Sequence, residues 1–348
     1  MEKTKKIKKL ITNLIIFILL IILTFYFVLK DQDISQMYNI VRGVKKEFIC
    51  IAIGVMCIYI SCEAINIKRI LNELGENTTF LCAIKYTLIG FFFSAITPAA
   101  SGGQPMEIYY MHKDKVSVAH STLTLLMQLC CFQIISISLG IISAIIHFDV
   151  LKTGLIYLFI LGIVLNSSAL VLLVIAIFSK KLSESLIKFV VKVLKLCRIR
   201  NIEDKQTRLE KELESYQTSA VYIKEHKKLM IKTLITTVIQ LLSYYSVTYW
   251  IYLAFGLNSY NIWQILTLQA VLYATVSGIP SPGSVGVSEG GFLGIFKKAF
   301  PEATISSAML LSRGINFYLL ILISVIVVMI NTLKEKKKDD NVIENVTN

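Results

Sequence analysis

The sequence predicts an all-α polytopic membrane protein, with about six transmembrane helices and two oppositely oriented re-entrant hairpins arranged as an inverted repeat. Three observations predict it. Apolar residues fill 55% of the 348 positions, and they come in runs, several long enough to cross ~30 Å of hydrocarbon, which takes about 20 residues. Two glycine- and proline-rich breaks, TPAASGGQP from Thr97 to Pro105 and GIPSPGSVGVSEGG from Gly278 to Gly291, interrupt membrane-length apolar segments. The basic residues are distributed unevenly between the two sides of the runs.

The spans read Ile11–Leu29, Phe48–Ile67, Val118–Phe148, Gly154–Phe178, Leu229–Phe255 and Thr304–Leu333. The first follows Lys3, Lys5, Lys6, Lys8 and Lys9 as a secretory signal would. Its length and its lack of a small-residue cleavage site predict a retained helix. Between the spans lie Phe80–Met111 and Ile262–Phe300, 32 and 39 residues long, each holding one break. Both are short for two crossings at roughly 20 residues each, so both are expected to be re-entrant hairpins.

Orientation follows from the 36 Lys and Arg residues. With the N-terminus inside, 26 of them fall in cytoplasmic segments, seven in outside loops, and three (Lys85, Lys232 and Arg313) within membrane segments. The positive-inside rule then gives a multi-pass cell-membrane protein with both termini cytoplasmic. The hairpin with Pro98 and Pro105 enters from the cytoplasm and the one with Pro280 and Pro282 from outside. The chain is expected to form a single integral membrane domain over 1–348, with half-repeats 48–148 and 229–333 running in opposite directions, as in transporters whose sites lie between broken helices. A basic insert, 179–228, joins the halves, and 334–348 is a cytoplasmic tail. In the insert, Leu182, Leu186, Phe189, Val190, Val193 and Leu194 share one face while Lys188, Lys192 and Lys195 line another, the pattern of a helix lying on an anionic leaflet. The charged stretch Glu203–Glu225 reads as a further helix, a surface lever or partner site.

Several function classes are excluded on composition. The net charge of +13 is mostly the positive-inside bias, so no nucleic-acid partner is expected. Cysteines 50, 57, 62, 82, 130, 131 and 197 and histidines 112, 120, 147 and 226 form no disulfide framework and no zinc pattern, which predicts no metal and no cofactor. A phosphate loop and a hydrolase nucleophile elbow are both lacking, and no residue is expected to be catalytic.

In hydrocarbon an unpaired backbone N–H or C=O costs several kcal/mol, so a break is tolerated only where protein or a water-filled cavity covers it. Two breaks predict one shared polar cavity. Pro280 and Pro282 stop a helix, Gly283 and Gly286 permit positive φ, and a half-helix restarts near Val287. Its N-terminal N–H groups offer a seat for a lipid phosphate, and Gly102 and Gly103 offer the same from the cytoplasmic side. Thr97, Pro98, Ser101, Gln104, Ser281 and Ser284 accompany them; close helix packing would equally use the glycines.

Charges inside the membrane are costly unless paired or functional. Arg313, about nine residues into its span, sits roughly 13 Å deep. Glu289 lies at similar depth on the returning arm, and the two are placed to meet. Either they form a structural ion pair, or Arg313 takes the lipid phosphate and Glu289 a cationic head group or Arg313 itself. Asn316, three residues beyond Arg313, is expected on the same face. Glu107 is a candidate for the cytoplasmic gate, although its spacing from Lys113 lets it reach the interface; Glu63, near Lys68, is expected at the interface, and Lys85 is expected to snorkel there.

TPAASGGQP in the first half, with PSPGSVGVSEGG and then Ser312-Arg313-Gly314 in the second, resembles the membrane part of lysylphosphatidylglycerol synthases, also grouped as flippase-like proteins, over roughly residues 10 to 333. The resemblance implies translocation or binding of a polar, anionic or aminoacylated phospholipid such as lysyl-phosphatidylglycerol. In two-part members of that family a soluble C-terminal domain transfers lysine from charged tRNA. Here only Lys334-Glu335-Lys336-Lys337-Lys338 and ten more residues follow the last span, so synthase activity is not expected of the chain. Two rival readings stay open: the membrane subunit of a phosphatidylglycerol lysyltransferase system with catalysis on a separate protein, and an ion-coupled carrier of small solutes. The expected partners are membrane phospholipid and, on the first rival reading, a separate lipid-modifying enzyme; oligomer formation stays open.

The topology is tested by single cysteines. Those at Asn39 and Asn258 are expected to label from outside in intact cells, and one at Asn201 only after permeabilisation. External labelling at Asn201 would overturn the inverted arrangement.

Overall fold

The computed structural model describes residues 40–97, 100–151, 155–179, 185, 202–279 and 284–332. The first expected span, Pro98, Pro280, Ser281, Pro282, Gly283, the leucine- and lysine-faced stretch of the insert and the tail lie outside the described residues. Among the described residues the regular elements are helices: α1 Lys46–Glu73, α2 Phe80–Ala95, α3 Gly103–Lys113, α4 Val118–Ile146, α5 Ile156–Phe178, α6 Ile202–Glu225, α7 Lys227–Ala254, α8 Ile262–Val276, α9 Val287–Ile295 and α10 Glu302–Thr332. The chain is an all-α polytopic membrane protein.

Local chemistry sets the helix starts. The Thr79 hydroxyl accepts the Cys82 N–H to begin α2, and Asn261 and Gln264 form a reciprocal capping box at the start of α8, each satisfying an N–H that the helix leaves unpaired. Four helices, α1, α4, α5 and α10, are long and apolar enough to cross a membrane. The 28-residue α7 matches them in length but buries Thr233, Thr236, Thr237, Gln240, Ser246 and Thr248. Its polar face is turned inward, while Ile231, Ile235 and Ile239 are exposed. At 16 and 15 residues, α2 and α8 extend only about 24 and 22 Å at the α-helical rise, short of the ~30 Å hydrocarbon core.

The two halves meet along α1 and α7. Phe48 stacks on Trp250 with centroids 6.3 Å apart, and Tyr59 meets Tyr244 in a tilted pair at 5.4 Å. Further along, Gln240 Nε2 donates to Glu63 Oε2 at 3.3 Å, Asn66 Nδ2 to Thr237 Oγ1 at 3.2 Å, and Arg69 Nη1 to Thr236 Oγ1 at 3.0 Å. At the entrance to α1 the Lys45 N–H donates to the Ala254 carbonyl at the end of α7, 3.0 Å away. Numbers rise on one helix as they fall on the other, so the first helices of the two halves are antiparallel.

Each short helix then packs on the last long helix of the opposite half. Phe91 of α2 meets Phe317 of α10 edge-on at 6.0 Å, within a core that includes Ile89 and Phe92 with Ile321 and Val325. Phe132 of α4 meets Tyr273 of α8 in the same way at 6.0 Å, and His147 Nε2 lies 2.7 Å from Thr267 Oγ1. Outside these lies α5, which touches α8 through Asn166 and Ser277 (3.0 Å) and exposes Tyr157, Val171 and Leu172, as a lipid-facing helix does.

The charged helix α6 docks on the ends of the bundle. Its Tyr216, Ala220 and Ile223 join Ile70, Leu123, Met127 and Ile177 in one core, and the Tyr216 hydroxyl donates to the Ala176 carbonyl at 3.0 Å. Burial pushes the Tyr216 phenol up to about 12. Because the raised value favours the neutral phenol in the folded state, its contribution is complete below a pH of about 10 and fades as pH rises toward the folded value. Tyr216→Phe is expected to cost about 1 kcal/mol, the net worth of one hydrogen bond, seen as faster proteolysis within 202–225 at neutral pH. In the wild type the same cleavage should accelerate only under alkaline conditions.

Candidate functional site

The second break is built around one carboxylate. After α8 ends at Val276, the chain re-enters a helix at Val287 through Gly286, whose φ of +87° is a backbone state that side-chain-bearing residues rarely adopt. Glu289, in the first turn of α9, accepts the Gly286 N–H on Oε2 at 2.7 Å and Arg313 Nε on Oε1 at 2.9 Å. Glu289 is 2% exposed and Arg313 7%. The guanidinium also lies over the Phe317 ring, 4.2 Å from its centroid. Glu289 therefore caps its own helix, and the Gly286 N–H that the sequence offered to a phosphate is already bonded. The Glu289 carboxylate sits with Arg313 rather than with an open cationic seat.

Just beyond Arg313, α10 widens into a π-helical turn, Gly314–Tyr318, a feature frequent at functional sites. The turn carries Asn316, which is 5% exposed and whose Oδ1 accepts no hydrogen bond. Arg313 and Asn316 both line a cavity of about 280 Å³, with Ser94, Ser277, Ser284, Ser288, Ser312 and Gln269 supplying hydroxyl and amide groups and Tyr59, Phe91, Phe132, Tyr244, Tyr273 and Phe317 its aromatic wall. Glu289 stands behind Arg313, outside that lining. Gln269 Oε1 is held by Thr248 Oγ1 at 3.0 Å, and Thr248 lies 3.3 Å from the Ser312 hydroxyl.

A second cavity, also about 280 Å³, adjoins the first and shares Tyr59, Phe91, Ser94, Phe132 and Tyr273 with it. Its polar lining is Glu63, Glu107, Gln104, Gln128 and Gln240. Glu107 is 6% exposed, which corrects its expected reach to the interface. A methyl group at Gly90 would overlap the Glu107 carboxyl group, so the carboxylate rests on the bare backbone of α2. Glu63 is half-buried and lines the same space.

Residues 11–324 match the family model described as the lysylphosphatidylglycerol synthase TM region. The chain belongs to that family. No curated protein matches it. Membership makes the chain a multi-pass membrane protein associated with lysyl-phosphatidylglycerol metabolism. In this lysylphosphatidylglycerol synthase TM region, both cavities fall inside the matched segment.

The first break serves the family member differently from the second. The Thr97 hydroxyl donates to the Phe93 carbonyl at 2.6 Å and accepts the Gly102 N–H at 2.9 Å, closing the turn rather than facing a cavity. Ser101 is exposed. A methyl group at Gly103 would strike the Ser94 side chain, so that glycine serves close packing. From the first motif Gln104 reaches the second cavity, as Glu107 does from the helix that follows. Lys85 pairs with Asp114, which also accepts the Tyr86 hydroxyl at 2.6 Å, away from both cavities. Sequence reasoning missed Gln128, Gln240 and Gln269, and the signal was there: each is an isolated amide in an apolar helix, a costly placement in lipid unless it faces a polar space.

Chemically, the first cavity offers a buried cation with hydroxyl groups around it, a setting for an anion. Among the described residues no group of three His, Cys, Asp or Glu side chains is placed to hold a metal ion. Gly90→Ala is expected to destabilise the protein by about 1–3 kcal/mol through overpacking against Glu107, read as a lower melting temperature in detergent. Adding Glu107→Ala should return most of the loss.

Proposed function

We propose that the protein moves a phospholipid head group between leaflets of the cytoplasmic membrane, with the phosphate passing Arg313 and both chain termini in the cytoplasm. One observation carries this reading: a buried arginine lines a polar cavity amid helices of membrane-spanning length and apolarity. A charge at that depth is retained when it pairs or works. Its partner Glu289 uses Arg313 Nε, and the lining serines and Asn316 add the donors and acceptors a phosphate ester with its glycerol hydroxyls would use. Anionic or aminoacylated phosphatidylglycerol is the substrate class that the family membership favours.

The antiparallel α1 and α7, and the exchange of short helices between halves, support an inverted repeat with two re-entrant hairpins. In that arrangement the cavity opens alternately to either leaflet as one repeat rocks against the other. A second reading draws on the same family: the cavity presents phosphatidylglycerol to a separate lysyltransferase, and the chain acts as its membrane subunit.

The test is a combination of Arg313→Leu with Glu289→Gln, because glutamine keeps an acceptor for the Gly286 N–H while removing the charge. An apolar or neutral replacement of a buried ion pair costs little stability, so the double variant is expected to purify with wild-type yield yet lose exchange of labelled lipid in reconstituted vesicles. Arg313→Leu alone should lose yield as well, because it strands a buried carboxylate. Normal exchange by the double variant would remove Arg313 from the translocation site.

A further inference from the structure

The two adjoining cavities differ in charge. Arg313 lines the first; the second is lined by Glu63 and Glu107 and, among the described residues, by no Lys, Arg or His. The amides around these carboxylates do not satisfy the chamber. Gln240 Nε2 donates to Glu63 Oε2 at 3.3 Å, and the Gln128 side chain also hydrogen-bonds Glu63. Both glutamines thereby turn their NH2 groups toward Glu63, while Gln128 Oε1 and Gln240 Oε1 are buried and, among the described residues, accept nothing. The two residues are 8% and 1% exposed. Glu107, held against the bare backbone at Gly90, adds a second carboxylate to a space already rich in acceptors.

Two carboxylates and two idle carbonyl oxygens call for a group that is positively charged and rich in donors. A protonated primary amine brings one charge and three N–H donors. Tyr59, Phe91, Phe132 and Tyr273 line both cavities, and aromatic rings attract such a cation. We propose that the Glu63–Glu107 chamber binds an ammonium-type cation, so that a lipid whose phosphate is at Arg313 puts its head-group amine between these carboxylates. The lipid form of the proposal rests on the phosphate reading given above; the cation chamber itself does not. It makes this site a selector for amine-bearing lipids.

The experiment measures binding of the full chain in detergent to fluorescent phosphatidylglycerol, phosphatidylethanolamine and lysyl-phosphatidylglycerol. The wild type is expected to favour the two amine-bearing lipids by about tenfold or more, equivalent to about 1.4 kcal/mol. Glu63→Gln with Glu107→Gln should bring the three lipids level while leaving phosphatidylglycerol binding unchanged. A double variant that keeps the wild-type preference overturns the proposal. If the double variant is not monodisperse, Glu107→Gln is read in the same way. A measurement on the wild type needs no variant: methylammonium chloride, at ionic strength matched with sodium chloride, should displace lysyl-phosphatidylglycerol and spare phosphatidylglycerol. Failure to displace it overturns the proposal. If no lipid binds the wild type but methylammonium binds by calorimetry and the Gln variants abolish that binding, the chamber is a site for a free cation, and the lipid-translocation reading is the one that falls. Absence of carboxylate-dependent binding by any of these probes removes the chamber as a site.

Discussion

The carboxylate of Glu289 holds the second half together at its weakest place. A helix break inside a membrane leaves backbone groups that lipid cannot satisfy, and an arginine there is unstable without a partner. Glu289 answers both demands, taking the Gly286 N–H on one oxygen and Arg313 on the other. The start of α9 is thereby tied to the middle of α10, and Arg313 is turned so that it lines the cavity. The aromatic contact of the guanidinium with Phe317, which in turn meets Phe91 of α2, extends that tie to the other half.

Among the described residues the first break has no such ion pair. Thr97 closes its turn with a hydroxyl, and the acidic residue that follows, Glu107, is seated against Gly90 in a cavity that no basic residue lines among the described residues. The two breaks thus differ in electrostatics: one lies beside a cation whose charge is balanced, the other beside two carboxylates. Because the cavities share five residues, a basic and an acidic lining adjoin in the protein.

Much of this was legible in the sequence, and the failures share one cause. Helix positions follow from apolar runs and breaks: the restart near Val287 and the short helices α2 and α8 lie where the pattern puts them, and equal calculated depth is enough to bring Arg313 to Glu289. The surroundings of Glu63 and Glu107 do not follow from distance along the chain to the nearest lysine, Lys68 or Lys113. What decides their surroundings is the opposite helix, where Gly90 leaves room for one carboxyl group and Gln240 reaches the other. Thr97 and Gln104 show the same limit inside a single motif. Both are polar and seven positions apart, yet one is consumed by its own turn and the other lines a cavity, a difference set by the path of the chain through the break and not by residue type. The π turn at Gly314–Tyr318 likewise has no counterpart in a reading that assumes α spacing from Arg313 to Asn316.

The long antiparallel contact of α1 with α7 carries a mechanical consequence. Its rungs run from Phe48 and Trp250 at one end to Arg69 and Thr236 at the other, and each joins side chains of different shape and polarity. Sliding the pair by one helical turn, about 5.4 Å, would break the Glu63–Gln240, Asn66–Thr237 and Arg69–Thr236 hydrogen bonds and part both ring pairs. The two helices are therefore keyed like a spline, free to tilt together but not to shift along each other. Any large displacement in the protein must be taken up elsewhere, by the short helices that hang from this axle.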